Sequence, residues 1–356
     1  MAFDPKYTIT QNILKNLTKI EAIKEAFKRN PVTPSLMASL RSSAKMASVH
    51  YSTKIEGNRL TLKQVEETIL KQKVVPYKER DSSEVKAYYK AMDYAEKYLK
   101  KNLNFSENFI KRIHDIVEGF SASYRDGQNA IYDNSSGNIV YMPPEAKDVP
   151  GLMAELVDWV NKSDEIPCVI VAGLVHYQFV TIHPYYDGNG RTARLMTSFL
   201  MRKFGYGLKG TYSLEEYYAN DLPGYYGALN THSHHNYYEG RENADLTGWI
   251  DYFTTGVAEV FEKIQNKAKQ RPTVDLSSEM RKLDVKQRKI LELFVEFKEI
   301  TSIQIAEYLN ISQQSGRLLA NQWIKDNFLK LANSSKKARK YCLSEEYEKS
   351  ISENSR

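Results

Sequence analysis

Apolar residues recur at steps of three and four positions along almost all of this chain. One such series consists of Leu36, Leu40, Ala44, Ala47, Tyr51 and Ile55. This spacing places the apolar side chains on one face of an α-helix, whereas a half-buried strand would alternate at every second residue. The same spacing returns in segments 82–99, 106–120, 149–162 and 166–182. The sequence therefore predicts a mainly α fold.

Residues that favour helix ends support this prediction. Thr33 followed by Pro34 is typical of a helix start, and Gly57 after the apolar series is typical of a left-handed helix end. Thr61 and Gln64 have the spacing of a capping box, in which each side chain bonds the other residue's backbone N–H. We expect one helix to end at Gly57 and the next to begin just after Thr61.

One short segment departs from the helical spacing. Residues 129–144, "NAIYDNSSGNIVYMPP", alternate β-favouring side chains around an Asn-Ser-Ser-Gly-Asn turn and end at two prolines. This pattern predicts an exposed β-hairpin.

The C-terminal part of the chain has a different organisation. The polar segment after Phe261 contains Pro272 and predicts a domain junction. Beyond it, residues 283–344 contain three helical segments and two β-like segments, which is the pattern of a winged helix-turn-helix. Thr301 and Ser312 lie where the second and third helices need N-caps.

Charge and composition limit the classes of function. Residues 281–356 hold 15 Lys and Arg against 10 Asp and Glu, a net charge of +5, whereas the preceding 280 residues have a net charge of +1. Any function of a basic surface is therefore expected at the C-terminal end. The most apolar run, "CVIVAGLVHYQFV", is shorter than the roughly 20 residues of a membrane span. The polar start and the two cysteines, Cys168 and Cys342, predict a cytoplasmic protein without membrane contact.

The segment "HPYYDGNGRTAR", which covers residues 183–194, concentrates chemical groups. Three of its residues form a turn in which backbone N–H groups can face an anion, namely Gly188, Asn189 and Gly190. A helix start follows, and helix N-termini favour phosphate. Arg191 and Arg194 are neighbours on that first turn, and a guanidinium binds phosphate oxygens through a fork. The segment predicts a phosphate site.

Two further side chains of this segment suit a phosphate reaction. Asp187 can hold Mg²⁺ on the phosphates, because Mg²⁺ prefers carboxylate, phosphate and water oxygens. His183 can take a proton from an attacking hydroxyl. A zinc site built on His183 and Asp187 is the alternative, although the sequence offers no third ligand nearby. We interpret His176, on the preceding apolar helix, as a packed side chain.

This segment resembles the Fic motif HPFx(D/E)GNGRxxR at every position except Tyr185, where phenylalanine is usual. The change is tolerated if the extra hydroxyl finds a partner. The resemblance spans about residues 35–265. It implies a Fic-type helical core with a β-hairpin flap, followed here by the C-terminal winged helix domain. Fic members typically transfer AMP from ATP to a Ser, Thr or Tyr hydroxyl of a protein, with Mg²⁺.

The resemblance also implies a role for each matched residue. His183 becomes the general base, Asp187 the Mg²⁺ ligand and Arg194 the contact to the γ-phosphate. The α- and β-phosphates are assigned to Gly188, Asn189, Gly190 and Arg191. The target-docking flap is assigned to Ile139, Val140 and Tyr141. The candidates for the adenine pocket are Tyr225, Tyr226 and Leu229, with core packing as the alternative.

A second motif lies upstream. "STKIEGN" resembles the inhibitory motif (S/T)xxxE(G/N), with Ser52, Glu56 and Gly57 in register. The resemblance implies that Glu56 pairs with Arg194 and prevents productive binding of the γ-phosphate. A solvated glutamate at a helix end is the alternative. The implied domains are an N-terminal helical region with the inhibitory helix (1–105), the Fic catalytic core (106–270) and the winged helix-turn-helix domain (275–350).

The leading hypothesis is a protein adenylyltransferase that modifies an unidentified target protein and itself. Within the same family, transfer of phosphocholine, UMP or phosphate, or removal of AMP, stays open. A DNA-binding regulator with a Fic sensor unit is the alternative from another class. In that case Arg317 would contact bases, and the backbone phosphates would meet Lys336, Lys337, Arg339 and Lys340. The winged helix is equally suited to dimerisation, so the sequence leaves a homodimer open.

Overall fold

The computed structural model describes residues 3–29, 34–132, 137–270, 283–309, 311–333 and 339–352. The predicted mainly α class is confirmed. The chain forms two compact units: the first is Met1–Ala26 with Lys45–Lys263, and the second is Phe27–Ala44 with Ile264–Arg356. The predicted limits at residues 105, 270 and 275 stay predictions. Within the described ranges, no helix is both long and apolar enough to cross a membrane.

Residues 11–270 are mostly helical, and they include residues 27–44 and 264–270, which belong to the second unit. In chain order, the helices up to the hairpin are α1 (Gln11–Arg29), α2 (Pro34–Ile55), α3 (Leu62–Leu70), α4 (Glu79–Lys100) and α5 (Glu107–Glu118). Those after the hairpin are α6 (Val149–Asn161), α7 (Cys168–Ile182), α8 (Asn189–Lys203), α9 (Leu214–Asn220), α10 (Leu222–Leu229) and α11 (Thr247–Gln270). Short 3₁₀ turns lie at Ala146–Asp148, Leu208–Gly210 and Arg241–Asn243.

Helix α7 is the centre of the first unit. It is apolar on every side and buried along nearly its whole length, as expected of a helix surrounded by others. The Trp249 indole on α11 donates a 2.7 Å hydrogen bond to the Gly173 carbonyl. A side chain on Gly173 would collide with the Phe253 ring, so glycine permits this close helix packing. The close packing of α7 therefore fixes the position of its last residues.

The predicted helix ends of the first unit are confirmed where the structure describes them. Thr61 and Gln64 form the capping box, with both reciprocal hydrogen bonds present. Gly57 follows α2 with a φ of 92°, which is the left-handed region that glycine adopts without strain. Helix α2 begins at Pro34, as predicted, while Thr33 lies outside the described residues.

Strands β1 (Ile131–Tyr132) and β2 (Ile139–Tyr141) pair in an antiparallel arrangement where the sequence predicted a hairpin. The register pairs Ile131 with Tyr141 and Tyr132 with Ile139. Residues 133–136 of the predicted turn lie outside the described residues.

From residue 283 on, the second unit contains the three helices expected from its sequence, together with one more helix and one more strand than expected. The elements are α12 (Val285–Glu296), β3 (Ile300–Thr301), α13 (Ser302–Leu309), α14 (Gln313–Lys325), β4 (Leu329–Asn333), β5 (Lys340–Leu343) and α15 (Glu345–Ser352). The three strands form an antiparallel sheet in the order β3-β5-β4. Strand β3 has two residues, too few for an alternating pattern to appear in the sequence.

Packing in the second unit explains several of its residues. Thr301 and Ser312 accept the hydrogen bonds expected of N-caps, so both cap predictions are confirmed. A side chain on Gly316 would collide with the Ser302 carbonyl, so glycine lets α13 and α14 approach closely. The predicted junction at Pro272 lies outside the described residues.

Candidate active site

Helix α7 ends at His183, whose backbone is left-handed, with φ 50° and ψ 60°. A bulky residue adopts this conformation only where its surroundings impose it. Arg125 supplies that constraint: it is 2% exposed, and its Nε donates a 2.9 Å hydrogen bond to the His183 carbonyl. The Arg125 backbone N–H also donates to the Pro184 carbonyl at 2.9 Å. Arg125 therefore fixes the turn that presents the His183 ring.

The His183 ring is set up to accept a proton. Its Nδ1 lies 3.3 Å from the Val180 carbonyl, and since a carbonyl only accepts, Nδ1 carries the proton. The lone pair is then on Nε2, for which the described residues offer no hydrogen-bond partner. Burial lowers the pKa of His183 to about 4, so the ring is neutral at pH 7. A neutral ring with a vacant nitrogen has the form that a general base requires.

Asn189 closes the loop between α7 and α8. Its side-chain oxygen accepts from the Tyr185 N–H at 3.0 Å, and its side-chain nitrogen donates to the Tyr185 carbonyl at 2.7 Å. Gly188 precedes the first helical residue with a left-handed φ of 73°. The first N–H groups of a helix have no partner inside it and favour an anion. Gly188 and Asn189 thus form the turn at the start of α8, and its binding of an anion stays a prediction.

Asp187 is the exposed carboxylate of the loop. Its side chain is 66% exposed, and Oδ1 lies 3.2 Å from Arg191 Nη2. Within the described ranges no group of three or more His, Cys, Asp or Glu side chains could hold a metal, so the zinc alternative lacks its third ligand. A single exposed carboxylate does suit Mg²⁺, which takes its other ligands from substrate phosphates and water.

Arg194 points inward and meets the C-terminal end of α2. It is 2% exposed, and it donates from Nε to Ser52 Oγ at 2.9 Å and from Nη2 to the Ser52 carbonyl at 2.8 Å. Nη2 also donates to Glu56 Oε1 at 2.7 Å. Burial alone would lower the pKa of Arg194, but the Glu56 carboxylate outweighs it and raises that pKa. A side chain on Gly190 would collide with the Glu56 carboxylate, so glycine leaves the space that Glu56 fills.

Helix α2 makes one further polar contact that the sequence did not indicate. Ser48, one turn before Ser52, donates a 2.8 Å hydrogen bond to Glu215 Oε2. Glu215 is 1% exposed and also accepts from Ser213 at 2.8 Å. Ser48, Ser52 and Glu56 therefore form one polar stripe along and just after the last turns of α2, and each member contacts Arg194 or Glu215 within the first unit.

Helix α5 supplies side chains that the sequence reading missed. His114 stacks on the Tyr185 ring at 3.5 Å between centroids, and its Nε2 lies 3.0 Å from the Asp187 carbonyl. Glu118 Oε1 lies 3.0 Å from Arg191 Nη2. His114 is buried on the apolar face of α5, and the Glu118 side chain is 9% exposed at the end of that helix. Polar residues beside an apolar face were the signal that the sequence offered. The buried Tyr185 hydroxyl has no hydrogen-bond partner among the described residues, so the partner that would make tyrosine tolerated at this position is not found there.

The three candidates for an adenine pocket differ in exposure. Tyr225 is buried, and its hydroxyl lies 2.8 Å from His176 Nε2. His176 is fully buried, and its Nδ1 lies 3.0 Å from Thr197 Oγ1. Tyr226 is 50% exposed and Leu229 is half-buried. Tyr225 is thus a core residue, and surface for a ligand is offered by Tyr226 and Leu229.

The three candidate residues of the hairpin also differ in exposure. Ile139 and Val140 are 43% and 40% exposed, whereas Tyr141 is buried and donates a 2.8 Å hydrogen bond to the Thr181 carbonyl. Tyr141 therefore holds β2 on α7, while Ile139 and Val140 face solvent.

Comparison with known proteins agrees with this geometry. Residues 104–201 match the model of the Fic/DOC family. The protein named Protein adenylyltransferase Fic of Drosophila willistoni is 29% identical over 198 residues, which are 54% of this chain and 39% of that protein. Its counterpart in Drosophila grimshawi is 30% identical over 205 residues, which are 55% and 42%. The chain thus spans about two fifths of the length of these curated relatives.

Solved structures extend the likeness in fold. A Fic family protein from Desulfovibrio desulfuricans G20 has a TM-score of 0.61 at 21% identity, with 96% of this chain and 99% of that chain covered. Fic-1 from C. elegans has a TM-score of 0.58 at 22% identity, with 72% and 73% covered. Residues 104–201 of this chain are thus similar to a Fic/DOC family domain, and the curated relatives that the chain matches are Fic protein adenylyltransferases.

Proposed function

We propose that this protein transfers AMP from ATP to a Ser, Thr or Tyr hydroxyl of a target protein, and that Glu56 restrains the reaction. The observation that carries the proposal is the Glu56 carboxylate on the buried Arg194 guanidinium, beside Gly190. A carboxylate paired with an arginine at a helix start occupies the kind of position that a phosphate group takes. The names of the curated relatives support ATP as the co-substrate.

In the proposed step, the target hydroxyl oxygen attacks the α-phosphorus of ATP. The bond from that phosphorus to the bridging oxygen of the β-phosphate breaks, and pyrophosphate leaves. His183 accepts the hydroxyl proton at Nε2, the nitrogen for which the described residues offer no partner. The phosphate contacts are assigned to the turn and the first residues of α8, namely Gly188, Asn189, Gly190, Arg191 and Arg194.

We assign Asp187 as the residue that holds Mg²⁺. Its carboxylate is exposed at the loop and lies beside Arg191, so it can meet an ion that arrives with the nucleotide. When bound, Mg²⁺ would neutralise part of the phosphate charge. Asp187 contributes one ligand, and the remaining ligands would come from phosphate and water.

Two exposed surfaces complete the proposal. Ile139 and Val140 of β2 would receive an extended segment of the target through strand pairing. Tyr226 and Leu229 would cover the adenine ring, because both retain exposed surface whereas Tyr225 is committed to the core.

The proposed restraint follows from the three hydrogen bonds that Arg194 donates to Ser52 in α2 and to Glu56 just after it. A guanidinium engaged by Ser52 and Glu56 is not available to the γ-phosphate. Without that contact, ATP binds with its α-phosphorus turned away from in-line attack. An error of about 1 Å in such an alignment can cost on the order of 10² in rate.

The test uses ATP that carries ³²P in either the α-phosphate or the γ-phosphate. Self-modification by the Glu56→Gly variant should retain label from α-³²P ATP and none from γ-³²P ATP, because AMP is transferred and pyrophosphate leaves. Retention of the γ label would assign phosphate transfer instead. Preferential labelling by α-³²P UTP would assign UMP transfer. The absence of any label, from a protein with an unchanged melting temperature, would overturn the proposed function.

A second candidate function, DNA binding by the second unit, is favoured by the surface of α14. Gln313, Gln314 and Arg317 are exposed at its start, where a recognition helix contacts bases. The predicted phosphate contacts on the wing receive less support. Lys340 pairs with Glu299 at 3.0 Å, and Lys336 and Lys337 lie outside the described residues.

Fluorescence anisotropy with a labelled duplex tests this candidate. If the second unit binds DNA, neutralising Lys336, Lys337, Arg339 and Lys340 should weaken binding and flatten its dependence on salt. An unchanged salt slope would remove these residues from the interface. A homodimer formed through this unit and a cytoplasmic location stay predictions from the sequence.

A further inference from the structure

Each arginine of the phosphate site is paired with a glutamate from the end of a different helix, and Arg191 Nη2 also donates to the loop carboxylate of Asp187 at 3.2 Å. Glu56 follows α2 and pairs with Arg194, while Glu118 ends α5 and pairs with Arg191. The side chains of Arg191 and Glu118 are 6% and 9% exposed. The second pair is therefore buried more completely than the first, in which the Glu56 side chain is 34% exposed.

Glu118 also lies against the start of α8. A side chain on Gly188 would collide with the Glu118 carboxylate, just as one on Gly190 would collide with that of Glu56. The two carboxylates thus occupy neighbouring positions at the helix end that favours anions. Any polyphosphate bound by the turn and by the two arginines meets both negative charges.

The Glu118–Arg191 pair differs from the Glu56–Arg194 pair in its hydrogen bonding. Among the described residues, Glu118 Oε1 and Arg191 Nε have no hydrogen-bond partner, although Oε1 and Nη2 are 3.0 Å apart. Attraction between opposite charges therefore holds this pair, without the hydrogen bonds that hold Arg194. The other charges that face Glu118 are the carboxylates of Asp187, Glu84 and Glu56, so its surroundings are already rich in negative charge.

We propose that Glu118 is a positioning residue that acts as a second restraint on nucleotide binding, through Arg191 and independently of Glu56. This inference rests on the proposed function. Glu118 neutralises the guanidinium assigned to the α- and β-phosphates and places a like charge beside them. Removal of Glu56 alone therefore leaves the phosphate site partly restrained.

Calorimetric titration of the full chain with Mg–ATP tests this inference in the Glu56→Gly background. Adding Glu118→Gln keeps the size of the side chain and removes its charge, so we expect the dissociation constant to fall by about tenfold. The rate of self-modification at saturating ATP should stay within about threefold, because the residue acts on binding. A merely structural role would lower the melting temperature without tightening the binding of ATP.

The matched control is Glu96→Gln in the same background. Glu96 pairs with Arg202 at 2.8 Å near the other end of α8, so this variant removes the same charge far from the phosphate site. Its ATP affinity should not change. If Glu118→Gln does not fold, Glu118→Asp, which draws the charge back by one methylene, should tighten ATP binding by a smaller factor.

Equal or weaker ATP affinity in a folded Glu118 variant would overturn this inference and leave the proposed function intact. If the Glu56→Gly protein itself neither binds ATP nor takes up the α label, the proposed function fails, and this inference fails with it.

Discussion

Helix α7 carries one histidine near its middle, His176, and a second directly after its last residue, His183. Burial lowers the pKa of both, to about 3 for His176 and to about 4 for His183. Both rings are therefore neutral at pH 7. They differ in their neighbours: His176 contacts Thr197 through one nitrogen and Tyr225 through the other. His183 bonds the Val180 carbonyl through Nδ1, and the described part of the chain offers Nε2 no partner.

A lowered pKa is therefore not sufficient to mark a catalytic histidine. The ring with the larger shift has both nitrogens engaged in the core, so it has no lone pair to offer a substrate. What distinguishes His183 is a vacant nitrogen at the end of a helix, next to a turn that can hold phosphate. The following predictions test this distinction.

The largest effect is expected from His183→Asn in the Glu56→Gly background. Asparagine tolerates the left-handed backbone and removes the base. Self-modification should fall by about 10²–10⁴, while ATP affinity stays within about threefold. The measurement is the initial rate of labelling by α-³²P ATP, with calorimetry as the binding control. Labelling at the parent rate would remove His183 from the mechanism.

The second effect concerns the proposed restraint by Glu56 on the proposed reaction. Glu56→Gly should raise self-modification by about 10², and should raise ATP affinity, because Arg194 becomes available to the γ-phosphate. Adding Arg194→Ala should abolish both gains, since both act through one guanidinium. Autoradiography of wild type, single variant and double variant provides the measurement. Equal labelling in wild type and Glu56→Gly would return Glu56 to the role of a solvated helix end.

The third effect is a loss of stability in acid that both histidines share. Each is neutral in the fold but has an ordinary pKa near 6.5 in the unfolded chain, so below about pH 6.5 the unfolded chain binds more protons. The stabilising contribution is complete above that pH and decreases toward pH 4. Each histidine contributes at most about 1.4 kcal/mol per pH unit. Urea titrations at pH 7, 6 and 5 measure the slope, and a flat profile would show that neither ring is held neutral.

The smallest effect separates the two rings. His176→Phe leaves the buried Tyr225 hydroxyl without its partner and should lower the free energy of unfolding by about 1–3 kcal/mol. It should also remove the contribution of His176 to the pH dependence of the free energy of unfolding. Self-modification per folded molecule should stay within a few-fold of the Glu56→Gly parent. A loss as large as that of His183→Asn would mean that the core ring takes part in the chemistry.

Whether a feature could be predicted from the sequence depended on how far apart along the chain the contacting residues lie. The capping box at Thr61 and Gln64 and the left-handed Gly57 are local, so residue types a few positions apart were sufficient to predict them. The contact between Glu56 and Arg194 spans 138 positions and was expected only because two motifs resembled one family. Arg125 gave no signal, because its role depends on carbonyls that tertiary packing brings to it.

Polar side chains on an otherwise apolar helix face were only partly predictable from the sequence. His114 puts a polar group on the apolar face of α5 and Glu118 puts one beside it, where they could have been noticed without any homologue. Strand β3 could not have been noticed, since its two residues pair with β5 some 40 positions later.

The left-handed backbone of His183 has a consequence for how this chain can evolve. Glycine or asparagine would occupy that position with less strain, so selection for stability alone would replace the imidazole. Selection for the proposed transfer would restore it. At position 183, stability and activity therefore favour different residues. Variants that have lost activity can gain stability there without any change elsewhere in the fold.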